Sequence, residues 1–76
     1  MSNLQTLQAE VRATHIRLAG VVMRTEATHK LFDSAAFLGQ GEELDNLRLQ
    51  LHALLDEKLD HNVRIMQLTR QMMELP

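Results

Sequence analysis

The sequence predicts an all-α protein: an antiparallel two-helix hairpin that assembles into a four-helix-bundle homodimer. Three observations predict it. Among 76 residues there is one proline, at position 76, and three glycines, at 20, 39 and 41, so little interrupts a helix. Apolar residues recur at alternating steps of three and four on both sides of Gly39-Gln40-Gly41, which is the period of packed helices and not of strands. That Gly-Gln-Gly run is the one place that reads as punctuation, and it divides the chain into two near-equal halves.

Helix 1 is expected from about 3 to 38, with Ser2 or Asn3 as its N-cap and Asp33-Ser34 as the place for a kink or early break. The turn occupies 39–41, where a left-handed glycine ends the first helix. Helix 2 is expected over about 42–74, with Glu42, Glu43 and Asp45 at its positive N-terminus. Two helices of roughly 50 Å on a short turn fold back on each other, making 1–76 a single hairpin domain.

Helix 1 carries two heptad seams on opposite faces. The first is Leu4, Leu7, Val11, Thr14, Leu18, Val21, Thr25, Thr28 and Phe32, with Val22 at its edge. The second is Ala9, Ala13, Ile16, Gly20, Met23, Ala27 and Leu31, made mostly of small side chains. Charged flanks separate them, with Glu10, Arg17 and Arg24 on one side and Arg12, Glu26 and Lys30 on the other. Alanines also suit a solvated helix face, but Ile16, Met23 and Leu31 at the same angle do not, so the second seam is taken as an interface with a second copy or a partner helix. A hairpin that buries one stripe per helix barely offsets an ordering cost of roughly 1.5 kcal/mol per residue, which gives a reason for such a partner.

Helix 2 presents one broad apolar arc: Leu44, Leu47, Leu51, Leu54, Leu55, Leu59, Ile65, Met66, Leu68, Met72 and Met73. Lys58, His61 and Asn62 fall inside that arc. Lys58 is read as a snorkelling side chain, while His61 and Asn62 are either rim residues or a polar layer that sets register. Near the C-terminus Met66, Met72 and Met73 make an adaptable candidate partner-binding strip. For Met66 and Met72 ordinary core filling is the preferred reading, and Met73 is the better exposed contact.

Few functional classes suit the chain. It lacks cysteine, tryptophan and tyrosine and has two phenylalanines, which excludes thiol chemistry and weakens base stacking. Neither Ser2 nor Ser34 has a nucleophile-elbow glycine after it, so no catalytic residue and no small-molecule substrate are assigned. Glu42-Glu43 would repel a phosphate from the only Gly-rich turn, and no cofactor is expected. The net charge of -2 gives no field toward nucleic acid or membrane, although Arg17 and Arg24 share an edge that keeps an RNA-binding bundle as an alternative. Glu26, His29 and His52 are the weak candidates for a metal site, since Glu26 and His29 have the Glu-x-x-His spacing and a hairpin brings His52 to the level of His29. Neither a basic, apolar leader nor a membrane-length apolar run is present, so a cytoplasmic protein is expected.

What remains is apolar surface in excess of what the hairpin buries. It points to a non-enzymatic interaction module that regulates a partner by binding and occluding it, in the manner of an antiactivator, inhibitor or adaptor. A secretion or assembly chaperone that covers a partner's amphipathic helix is the alternative within the same mechanism. In size, hairpin layout and the run Arg12-Ala13-Thr14-His15-Ile16-Arg17-Leu18 the chain resembles the TraM-type quorum-sensing antiactivators. In layout it also resembles the small co-chaperones of type III secretion needle subunits. Both resemblances are architectural, and neither carries over a functional residue.

Overall fold

The computed structural model describes residues 3–76, so Ser2 as a cap lies outside the described residues. Two helices, α1 over Asn3–Leu38 and α2 over Gly41–Met73, pack antiparallel into a rod measuring 58 × 14 × 13 Å. The break expected at Asp33-Ser34 is absent. Both side chains are exposed there, and Ala35 and Ala36 behind them favour continuing the helix.

α1 ends where the sequence places its left-handed glycine. Gly39 has φ +70°, the Gln40 N–H donates to the Ala35 carbonyl at 3.0 Å, and the Gly39 N–H donates to Ala36 at 3.2 Å. These paired bonds form a Schellman cap, which satisfies two of the carbonyls a helix end leaves open. Gln40 then caps α2 through its backbone, its carbonyl accepting from the Leu44 N–H at 3.0 Å, with no bond from its side chain. Glu42 and Glu43 in the first turn of α2 and Arg70 in the last complement the helix dipole. The helix begins one residue before Glu42 and stops one short of Glu74.

The first seam of α1 is the one that meets α2. Val21 and Ala35 of α1 and Leu47, Leu54 and Leu68 of α2 form the buried apolar core, joined by Thr14 and Thr28. Burying threonine in a seam is tolerated because each hydroxyl donates to the carbonyl four residues back: Thr14 to Glu10, Thr25 to Val21 and Thr28 to Arg24, all at 2.8 Å. Among the described residues no buried side-chain polar atom lacks a partner. Two ion pairs record the register, Arg24 Nη2 to Glu57 Oε1 and Arg64 Nη2 to Glu10 Oε2, both at 3.0 Å. They lie on one flank, across positions that neighbour the seam in an antiparallel pair.

Candidate interaction surfaces

With the first seam facing α2, the second seam of α1 faces outward. Ile16, Met23 and Leu31 are 74%, 70% and 58% exposed; Ala9 and Ala27 are exposed, and Ala13 and Gly20 half-buried. The face has relief. Ile16 and Met23 form a ridge of large side chains beside a furrow of Ala13, Gly20 and Ala27, each row advancing by seven residues. A Cβ built on Gly20 meets nothing within 4 Å, so the furrow is open in the hairpin. Phe37 and Leu38 extend exposed apolar surface to the turn, which the sequence reading missed, although Phe37 is fourteen residues after Met23 and so shares its side of the helix.

The apolar arc of α2 divides into two lines, which corrects its reading as one face. Leu47, Leu54 and Leu68 are buried against α1, with Leu44, Leu51, Ile65 and Met72 half-buried beside them. Leu55, Leu59, Met66 and Met73 form a second line that stays exposed. Met66 is therefore a surface residue and not core filling. Ile65 takes the seam position, and one further residue rotates a side chain by about 100°. Of the three methionines, Met66 and Met73 share an open depression with Ile65 and Arg70, and Met72 turns toward the hairpin. Of the polar residues in the arc, Lys58 is exposed and His61 and Asn62 are half-buried, with His61 Nε2 3.9 Å from Glu57 Oε1.

A third surface lies between the helices, on the flank away from the ion pairs. Thr25, His29 and Phe32 of α1 and Arg48, Leu51, His52, Leu55 and Lys58 of α2 line a groove of about 430 Å³. The hairpin thus brings His29 and His52 into one site. Glu26 does not line it, and among the described residues no group of three or more histidines and carboxylates stands where it could hold a metal ion. On the other flank, the Arg24 that would mark a basic edge for RNA is neutralised by Glu57.

No helix among the described residues is long and apolar enough to cross a membrane. Comparison with protein families, with curated proteins and with solved structures finds no match to this chain.

Proposed function

We propose that the chain is a small non-enzymatic interaction module of the cytoplasm, a homodimer that regulates a partner protein by binding and occluding it. One observation carries this reading. Among the described residues the core consists of five buried apolar side chains, while Ile16, Met23, Leu31, Phe37, Leu59, Met66 and Met73 are each more than half exposed on faces that the hairpin cannot cover. A monomer of this size gains little from leaving such surface in water. The ridge and furrow on the outer face of α1 suit a second copy, because Ile16 and Met23 of each protomer can fill the furrow of the other. That packing sets the two α1 helices back to back and leaves the exposed line of α2, ending in Met66 and Met73, for the partner.

Light scattering across a dilution series, with circular dichroism on the same samples, tests the assembly. The expected result is a helical species of about 17 kDa, twice the 8.7 kDa chain, that persists on dilution. A fully helical monomer at every concentration overturns the homodimer. The same chain partly unfolded as a monomer and restored by a co-purified protein would make the complex an obligate hetero-assembly.

A further inference from the structure

The two flanks of the hairpin differ in charge. On one, Arg24 and Arg64 are answered by Glu57 and Glu10 at 3.0 Å. On the other, the groove has a half-buried floor of Thr25, Phe32 and Leu51 and an exposed rim of Leu55, Arg48, Lys58, His29 and His52, and no carboxylate lines it. Lys58 has no ion-pair partner among the described residues. Arg48 meets Asp45 one turn away at 3.6 Å, with both side chains well exposed, which is a weak tie that leaves the guanidinium free to turn.

We propose that this groove receives an acidic amphipathic helix of a partner protein. The proposal rests on the reading of the chain as an occluding module and names the partner's chemistry. Charge complementarity selects the occupant: an apolar floor with Lys58 unpaired, Arg48 only loosely tied to Asp45 and no carboxylate in the lining rewards an apolar face flanked by carboxylates. The spacing selects a helix over a small amphiphile. Arg48 and Lys58 are ten residues apart along α2, about 15 Å, so the cations stand at both ends of the groove. A fatty acid brings one anion and answers one end. A helix of three turns brings apolar side chains at i, i+3, i+4 and i+7, with carboxylates at either end of that stretch.

The probe is a fluorescein-labelled helical peptide of about 18 residues, with leucines at that spacing and glutamates on the flanks, beside a version with lysine at every glutamate. Binding to the full chain is read by fluorescence anisotropy at about 50 mM and about 500 mM salt, with the mass of the same samples by light scattering. The expected result is saturable binding of the glutamate peptide alone, weakened by salt. Arg48→Glu with Lys58→Glu should weaken it at least about tenfold, while Arg12→Glu with Arg17→Glu, the same change of charge outside the groove, should weaken it less than about threefold. Circular dichroism establishes that both double variants keep their helices. Equal binding of the two peptides, no binding of the glutamate peptide, or indifference to Arg48→Glu with Lys58→Glu overturns the proposal. If that variant changes the mass of the chain instead, a second copy occupies the groove and the proposal is overturned. A dimer that ignores the peptide removes the groove proposal and leaves the occluding module standing; a stable helical monomer that ignores both peptides removes the groove proposal and the homodimer.

Discussion

Replacing Gly20 by leucine separates the hairpin from its assembly, because the change acts on the two with opposite sign. Gly20 lies in the middle of α1 with ordinary helical backbone, Gly39 being the glycine with positive φ. In a helix interior glycine costs about 0.8–1.0 kcal/mol relative to alanine, and leucine stands close to alanine on that scale. A Cβ at position 20 meets nothing within 4 Å, so no clash offsets the gain. The hairpin should therefore gain about 0.8 kcal/mol, a rise of roughly 3–6 °C in Tm for a chain of this length. Leucine in a furrow that receives Ile16 and Met23 of a second copy is overpacked, at a cost of about 1–3 kcal/mol, or roughly 5- to 150-fold in the dimer dissociation constant. Urea unfolding followed by circular dichroism at several concentrations reads the first effect, and light scattering reads the second. A loss of stability where the chain is monomeric refutes the open geometry at Gly20. An unchanged dimer mass refutes the furrow as the interface.

Three further predictions concern the hairpin itself. Gly39→Ala forces a Cβ into φ +70° and should cost about 1–2 kcal/mol in urea unfolding, with Gly39→Asn costing less because asparagine tolerates that conformation. Thr14→Val removes a hydroxyl whose only bond is to a helix carbonyl and places a methyl in a site 2% exposed; it should stabilise by about 0.5–1 kcal/mol, and a loss would mean the hydroxyl has a second role. A double-mutant cycle on Arg24→Ala and Glu57→Ala should give a coupling of about 0.2–1 kcal/mol that disappears in about 1 M salt, since both side chains are largely in water at 59% and 42% exposure.

The hairpin was legible because its signals are local. Gly39 marks the turn by its conformational freedom, Glu42 and Glu43 mark the start of α2, and the step from Leu7 through Thr14 and Val21 to Thr28 is a heptad that any antiparallel partner would bury. The division of α2 was not legible in the same way. Leu54 and Leu55, or Ile65 and Met66, are neighbours of similar hydrophobicity, and composition does not say which of the two turns inward. That is decided by register across the helices, which is fixed by pairs far apart in sequence such as Glu10 with Arg64. The same long-range register creates the groove. His29 and His52 could be brought to one level by counting from the turn, but their joining Phe32, Leu55 and Lys58 around one space depends on which flank the ion pairs close.

The charge pattern also bears on how such a slender hairpin keeps its faces apart. α1 is barely amphipathic because its apolar residues lie on two opposite sides, while those of α2 gather on one. An evenly apolar helix would pack on α2 in more than one rotation. The threonines at 14, 25 and 28 mark the inward side with small, internally bonded residues, whereas Ile16 and Met23 mark the outward side. Swapping the faces would carry Glu10 and Arg24 to the other flank of the hairpin, away from Arg64 and Glu57, and would put Ile16 and Met23 where Thr14 and Val21 now pack. The two exposed ion pairs thus contribute more to choosing the rotation of α1 than to stability, and that choice is what leaves one flank open and cationic.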